Sequence, residues 1–146
     1  MKNRARAASL RRGRHSQVGC AYHVVFSTKD RAPVFSDFTK ARMMVSCLEK
    51  SALQAISQTL AFVVMPDYVH WLFTLKFGSI SQCVQRVKAQ YSRDSGNLIW
   101  AAGFYDHGMR KDEDLQVTAR YIVANPLRAG LVEAIGDCPH WDAAWL

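Results

Sequence analysis

From residue 19 onward, the chain has a strand-like apolar run, and helical periodicity follows it. Residues 19–29 (GCAYHVVFSTK) alternate in polarity and include a continuous apolar run, which is typical of a strand. Apolar side chains then recur at helical spacing from about Asp37 to Ser57, and Ser36 is a suitable N-terminal cap. This pattern predicts a strand followed by one long helix.

Two further apolar runs lie close together after this helix. Residues 60–65 (LAFVVM) predict a buried strand, and residues 68–75 (YVHWLFTL) predict a second one. Only Pro66 and Asp67 separate the two runs, and both residue types favour tight turns. The two strands therefore form a predicted central hairpin.

The next segment predicts a helix and a fourth strand. Ser79 and Ser81 are both suitable caps for a helix that runs to about Arg93, and the sequence Ser-Gly-Asn at 95–97 ends it. Residues 104–110 (FYDHGMR) then predict a strand. The hairpin is therefore followed by a helix and a strand.

A third helix is predicted from about Glu113 to Ala124, with Asp112 as its cap. It ends before Pro126 because the residue preceding a proline avoids the helical conformation. The order strand, helix, hairpin, helix, strand is the split βαβ pattern of ferredoxin-like domains. We therefore predict an α+β fold, an antiparallel sheet with helices on one face and an extra C-terminal helix. The fold alone does not define the function.

Length and charge divide the chain into an arm and one domain. The chain has 146 residues, of which 49% are hydrophobic, and this suffices for one core. Its formal charge is +7, and residues 1–16 carry six lysines and arginines without any acid. We predict a basic, disordered arm at 1–17 that attracts phosphate nonspecifically, and a domain over 18–146. A misassigned start, vector-derived residues or an organellar transit peptide are alternative origins of the arm.

The remaining composition bears on the compartment. No apolar run approaches the roughly 18 to 20 residues that cross a bilayer, and the N-terminus has no apolar signal-peptide core. The four cysteines form no CxxC pair, which argues against a zinc ribbon and a disulfide framework. We therefore expect a cytoplasmic protein with reduced thiols and no membrane partner.

Two motifs are the most informative part of the sequence. Residues 65–72 read MPDYVHWL, and residues 121–126 read YIVANP. Here the chain resembles the REP-associated tyrosine transposases, relatives of the small single-tyrosine insertion-sequence transposases. Shorter matches extend the resemblance through most of residues 20–141 and lie at residues 22–24 (YHV), 98–100 (LIW), 103–107 (GFYDH) and 129–132 (AGLV).

The resemblance implies chemistry on single-stranded DNA with a palindromic hairpin end. In that family two histidines on one strand help to bind Mg²⁺ or Mn²⁺, which polarises the scissile phosphate. A tyrosine then attacks the phosphorus and forms a covalent 5′-phosphotyrosine link, leaving a free 3′-hydroxyl. Tyr121 matches this nucleophile, while His70 and Asn125 match metal ligands. The i,i+4 spacing of Tyr121 and Asn125 places both on one helix face.

The chain departs from the family pattern at one metal-ligand position. Tyr68 stands where the family has the first histidine of its His-hydrophobic-His motif, and a neutral phenol is a much weaker ligand than imidazole. The protein has lost activity or been repurposed, or a neighbouring side chain replaces the ligand, or the residue was engineered. His107 is the nearest candidate for a replacement ligand or a phosphate contact.

Candidate nucleic-acid contacts form a further set. Lysine and arginine side chains neutralise phosphates, and an aromatic ring stacks on bases, in proteins that hold single strands without reading sequence. An ordinary solvated helix face is the alternative explanation of such a cluster. Tyr91 is also a rival to Tyr121 as nucleophile. The candidate residues lie on the second helix and before the third, and they are Arg86, Lys88, Tyr91, Arg93, Arg110 and Lys111.

Three functions therefore remain open. The first is metal-dependent cleavage and strand transfer of single-stranded DNA, as in a transposase. The second is a catalytically weakened or inactive protein that binds hairpin DNA, because of Tyr68. The third is an RNA-binding module, although the aromatic signature of that class is missing. Whether the protein forms a homodimer is also left open.

Overall fold

A computed structural model describes residues 16–110, 114–134 and 138–144. The predicted order of strands and helices is confirmed, and a short strand is added at the C-terminal end. The elements are β1 Ala21–Ser27, α1 Phe38–Glu49, α2 Ser51–Gln54, β2 Ser57–Val64, β3 Tyr68–Leu75, α3 Ile80–Ser95, β4 Tyr105–Gly108, α4 Leu115–Val123, α5 Asn125–Arg128 and β5 Trp141–Ala143.

The strands form one antiparallel sheet in the order β4-β1-β3-β2-β5. The first four strands of this order belong to the predicted ferredoxin-like pattern, in which β1 and β3 are the inner strands. The fifth strand, β5, was not predicted, and it pairs with the outer side of β2. The α+β fold class is therefore confirmed, with one additional strand.

The sheet separates two layers of unequal size. Helices α1 and α3 cover one face and enclose the larger core, which includes Val24 and Trp71 of the inner strands. Helix α4 covers the other face with a smaller core, in which Ile122 and Val123 pack with Leu72. Because strand side chains alternate between faces, each inner strand contributes to both layers. The C-terminal helix thus lies opposite the two long helices.

The long predicted helix begins close to the predicted position, but its cap differs and it ends earlier. The side chain of Asp37, not Ser36, caps α1 by accepting a hydrogen bond from the Lys40 backbone N–H at 3.0 Å. The helix ends at Glu49 because Lys50 adopts an extended backbone conformation. The carbonyl of Ile56 accepts backbone hydrogen bonds from Lys76 and Phe77, directly after β3, so this segment already follows the sheet.

The second predicted helix is confirmed, with Ser79 rather than Ser81 as its cap. The Ser79 hydroxyl accepts from the Gln82 backbone N–H, and the Gln82 side chain accepts from the Ser79 N–H, which completes a capping box. Gly96 ends the helix with a φ of 73°, a left-handed conformation that glycine adopts without strain. The Ser16 hydroxyl also accepts from the Ile80 N–H at 3.1 Å.

The third predicted helix begins later than expected. Asp112 lies outside the described residues, and Asp114 caps α4 by accepting from the N–H groups of Gln116 and Val117. The helix ends at Val123, and a short helical turn, α5, follows with Pro126 near its start. In the part of the chain that the structure describes, no helix is long and apolar enough to cross a membrane.

Candidate functional site

The face of the sheet that α4 covers also carries the polar side chains of the inner strands. Residues directly opposite one another in an antiparallel pair share a face. Val25 of β1 lies opposite His70 of β3, and His23 lies opposite His107 of β4. Tyr68 and His70 are two residues apart, so they also share this face. The topology therefore gathers three histidines and one tyrosine on a single side of the sheet.

His23 and His70 form a contact that the sequence analysis missed. His23 Nε2 lies 2.8 Å from His70 Nδ1, and the two ring planes are 28° apart with centroids 5.0 Å apart. Burial lowers the pKa of His23 to about 4, with a smaller contribution from His107. Burial also lowers the pKa of His70 to about 4, followed by the effects of His23 and Arg128. Both imidazoles are therefore neutral near pH 7.

Tyr68 is held between the turn of the hairpin and His70. Its ring meets the His70 ring edge-on at 5.3 Å, and the Arg31 guanidinium lies 5.0 Å from the ring centre. Arg31 is itself paired with Asp67 at 2.7 Å. Burial raises the pKa of Tyr68, and the charge of Asp67 raises it further. The phenol therefore stays protonated at neutral pH and is a poor metal ligand.

Tyr121 projects from α4 into solvent, with 57% of its surface exposed. The guanidinium of Arg128, on the short turn α5, lies 3.7 Å from the centre of the Tyr121 ring. Arg128 also acts electrostatically on Tyr68 and His70, and Tyr121 acts on Tyr68. The helical segment and strand β3 thus bring an exposed phenol, a cation and an imidazole into one neighbourhood.

Asn125 lies one helical turn after Tyr121 and is buried, with 9% exposure. Its amide nitrogen donates to the Ile122 carbonyl at 3.0 Å. This bond uses the nitrogen and leaves the amide oxygen, which is the atom that a cation would bind. Ala124, between the two helical segments, keeps a right-handed helical conformation, so the predicted spacing is maintained through the junction.

The donor set can be tested against a divalent cation. Among the residues that the structure describes, no group of three or more His, Cys, Asp and Glu side chains is arranged to hold a metal ion. The neutral imidazole of His70 and the amide oxygen of Asn125 are suitable donors, whereas the protonated phenol of Tyr68 is not. Proteins usually bind Mg²⁺ through one or two carboxylates and several waters, so two neutral donors leave most of its ligands to water and substrate phosphate. Binding of Mg²⁺ or Mn²⁺ by these residues remains a prediction.

His107 lies two strands away from the altered ligand position at Tyr68. Strand β1 lies between β4, which carries His107, and β3, so the two outer strands of this trio are roughly 10 Å apart. Along β1, His107 is opposite His23 while Tyr68 is opposite Ser27, four residues away. A role for His107 as a replacement ligand to the cation of His70 therefore remains a prediction. A phosphate contact by His107 remains a prediction.

The predicted nucleic-acid contacts do not form one surface. Tyr91 is wrong as a stacking residue or a rival nucleophile, because it is 1% exposed and packs edge-on against Phe35 and Trp100. The Lys88 ammonium group donates to the loop carbonyls of Ala101 and Gly103 at 3.0 and 2.8 Å. The side chain of Lys88 thus holds a loop in place.

The remaining cations of this set lie in different places. Arg86 and Arg93 are exposed on α3 and line a groove of about 480 Å³ with Lys50. This groove belongs to the layer opposite α4, so these arginines face away from Tyr121. Arg110 is exposed after β4, and Lys111 lies outside the described residues. Contacts by these residues to DNA remain predictions.

Comparison with known proteins identifies the family. The family model described as transposase, IS200 like, matches residues 16–125, which is most of the chain. The chain belongs to the IS200-like transposase family. The resemblance drawn from the two motifs is thereby confirmed.

Two curated proteins are similar to this chain in sequence. A REP-associated tyrosine transposase of Escherichia coli (strain K12) is 32% identical over 91 residues, covering 58% of this chain and 55% of that protein. A Haemophilus influenzae protein, provisionally given the same name, is 28% identical over 102 residues, covering 57% of each chain. The IS200-like chain thus spans just over half the length of these curated relatives.

A solved structure shares the fold. It is a REP-associated tyrosine transposase bound to a REP hairpin, with a TM-score of 0.75 and 24% identity, covering 88% of this chain and 79% of that one. At this identity the likeness supports the fold of the IS200-like domain.

Two residues of the site were not among the sequence candidates. His23 is a polar residue within the apolar run of β1, on the same face as Ala21, and this interruption is the signal that could have identified it. Arg128 lies seven residues after Tyr121, and its position depends on the turn between α4 and α5. A helical periodicity continued through Pro126 would have been needed to place it.

Proposed function

We propose that the protein cleaves and rejoins single-stranded DNA beside a hairpin, with Tyr121 as the nucleophile. The observation that carries this proposal is the exposed Tyr121 ring stacked against Arg128, next to His70 and Tyr68 of β3. Family membership favours DNA as the substrate over the RNA-binding alternative. The hairpin bound by a solved relative supports a DNA hairpin as the partner.

The proposed reaction exchanges one ester for another. The Tyr121 oxygen forms a bond to phosphorus, and the bond from phosphorus to the 3′-oxygen breaks. The phenol proton leaves, and the released 3′-oxygen takes up a proton. The product is a 5′-phosphotyrosine link and a free 3′-hydroxyl, and attack by a 3′-hydroxyl reverses the step on another strand.

Arg128 supplies the charge that this reaction requires. A phenol with a pKa near 10 is a weak nucleophile at neutral pH, so its anion must be stabilised. A guanidinium pairs with phosphate through two parallel hydrogen bonds and is always charged. Arg128 therefore binds the attacked phosphate beside Tyr121 and favours the negative charge that develops there.

His70 and Asn125 would hold Mg²⁺ or Mn²⁺ in this site. The ion, when bound, supplies Lewis-acid polarisation of the phosphate. The neutral state of His70 keeps a ring nitrogen lone pair for this purpose. Asn125 places its amide within one helical turn of the nucleophile. Cytoplasmic localisation and a homodimer remain predictions.

A second candidate function is hairpin binding without cleavage. It is favoured by Tyr68, whose protonated phenol occupies the position of a family metal ligand. A protein of this kind would retain Arg128 as a phosphate contact and lose the covalent step. The two candidates differ in one product, the phosphotyrosine adduct.

The deciding experiment uses a labelled single-stranded hairpin oligonucleotide with Mn²⁺. The wild-type protein should give a covalent band on a denaturing gel, and Tyr121→Phe should lose this band while still shifting the hairpin on a native gel. Tyr91→Phe is the matched control and should keep the band, since Tyr91 is buried. A native shift without a covalent band in the wild type would select the binding protein.

A further inference from the structure

The contact between His23 and His70 requires a defined proton position. A neutral imidazole has one N–H and one nitrogen that accepts, so a hydrogen bond between two neutral rings needs one donor and one acceptor. The atoms in contact are His23 Nε2 and His70 Nδ1, at 2.8 Å. Either His70 donates from Nδ1, or His23 donates from Nε2. The choice determines whether the other nitrogen of His70, Nε2, carries a proton or a free lone pair.

The surrounding charge distinguishes these two arrangements. Arg128 acts electrostatically on His70, whereas His23 is influenced by burial and by His107. A nearby cation favours a ring that presents a lone pair and disfavours one that presents an N–H. This charge favours the arrangement in which His70 donates from Nδ1 to His23 and keeps its Nε2 lone pair.

We propose that His23 is a positioning residue that accepts the Nδ1–H of His70 and thereby holds the His70 Nε2 lone pair ready for a divalent cation. The tautomer itself is a property of the folded chain, and its use by a cation rests on the proposed function. A metal-binding histidine usually has such a partner on its other nitrogen, which fixes the tautomer and the ring orientation.

The sheet fixes the relative positions of His23 and His70. His23 lies opposite Leu72, so His70 is its diagonal neighbour on the adjacent strand. Diagonal neighbours lie within reach of ring side chains. The two rings are nearly parallel, at 28°, and they belong to β1 and β3, which have hydrogen-bonded strands on both sides.

The tautomer can be measured directly without metal. Long-range ¹H–¹⁵N NMR spectra of the metal-free wild type should show the proton of His70 on Nδ1. His23→Gln should preserve this state, because the amide oxygen accepts the same hydrogen bond. His23→Leu should lose it, because leucine has no acceptor. His107→Leu is the matched control and should leave His70 unchanged.

Metal affinity gives a second readout that does not depend on cleavage. Mn²⁺ binding followed by electron paramagnetic resonance should weaken about 10- to 100-fold in His23→Leu, and His23→Gln should restore most of it. Circular dichroism confirms that each variant is folded, and the glutamine variant keeps the test decisive if the leucine variant is not. A wild-type His70 protonated on Nε2, or unchanged Mn²⁺ affinity in a folded His23→Leu, would overturn the proposal.

Failure of the proposed function would have a different signature. A wild type that holds His70 in the Nδ1–H state and binds Mn²⁺ yet forms no DNA adduct would refute the cleavage proposal and support the role of His23. An adduct formed by a protein with His70 protonated on Nε2 would do the reverse.

Discussion

The guanidinium carbon of Arg128 lies 3.7 Å from the centre of the Tyr121 ring. We expect Arg128→Gln to slow adduct formation by on the order of 10²-fold, the usual effect of removing one preorganised group that stabilises developing charge. Arg128→Lys should recover part of the rate, since the charge remains but the planar stacking is lost. Single-turnover rates of the covalent band measure this. Arg120→Gln, an exposed arginine on α4, is the control and should have little effect.

Two substitutions of Tyr68 should differ in their effect on Mn²⁺ affinity. Tyr68→His should raise Mn²⁺ affinity by at least about tenfold, because a neutral imidazole replaces a protonated phenol at a ligand position. Tyr68→Phe should leave the affinity unchanged, since it removes only a hydroxyl that does not bind. Calorimetric titration measures both. A loss of affinity in the phenylalanine variant would show that the phenol is already a ligand.

Tyr91 should behave as a core residue. We expect Tyr91→Ala to lower the free energy of unfolding by about 3–5 kcal/mol, as for other large aromatic side chains in a core. Tyr91→Phe should cost only about 1 kcal/mol, the value of its hydrogen bond with Ser95. Urea denaturation measures both, with the half-exposed Tyr105→Ala as a control. Equal stability of Tyr91→Ala and wild type would contradict this.

The histidine pair should make the metal-free protein sensitive to acid. The folded-state pKa values of His23 and His70 are lowered to about 4, below the ordinary value of 6.5. The unfolded chain therefore binds more protons between these values, and stability falls as the pH drops from about 6.5 to about 4. The loss should be on the order of 3 kcal/mol for each of the two histidines.

Urea denaturation in chelator at several pH values tests this dependence. Carboxylates also titrate near pH 4, so the informative quantity is the difference between wild type and His23→Leu. The variant should lose less stability over the same range because it has one lowered histidine fewer. Identical slopes would exclude a contribution from His23.

Removal of residues 1–15 should weaken binding to DNA and flatten its salt dependence. Up to six cations are lost, and each phosphate that a cation neutralises contributes to the slope of log affinity against log salt. Ser16 should be kept because its hydroxyl accepts a hydrogen bond from Ile80 at the start of α3. Fluorescence anisotropy at several salt concentrations measures the slope. The same slope in both proteins would exclude the arm from binding.

Local sequence signals predict those elements that depend only on residues close together in the chain. The capping box of Ser79 and Gln82 and the glycine at position 96 define α3 within one segment. The end of α1 and the existence of β5 depend on pairing with distant residues. Trp141 pairs with Val63, and the carbonyl of Ile56 accepts from the N–H groups of two residues directly after β3. Such pairings leave no periodic pattern in the sequence.

In the candidate site, too, local spacing predicts some of the residues, and only the fold brings the others together. The alternation of Tyr68 and His70 on one face follows from strand geometry, and Tyr121 and Asn125 from helical spacing. His23 is 47 residues from His70 in sequence, so their contact required the strand order. The position of Arg128 required the turn after Val123.

The two layers differ in how firmly they hold the residues of the site. β1 and β3, which hold the two imidazoles, are hydrogen-bonded on both sides and pack against both cores. Helix α4 is anchored mainly through Ala119, Ile122 and Val123 in the smaller core. Local opening free energies follow buried contacts, so we expect the amides of α4 to exchange with solvent faster than those of β1 and β3. The tyrosine is thus carried on the less protected unit, and the histidines on the more protected one.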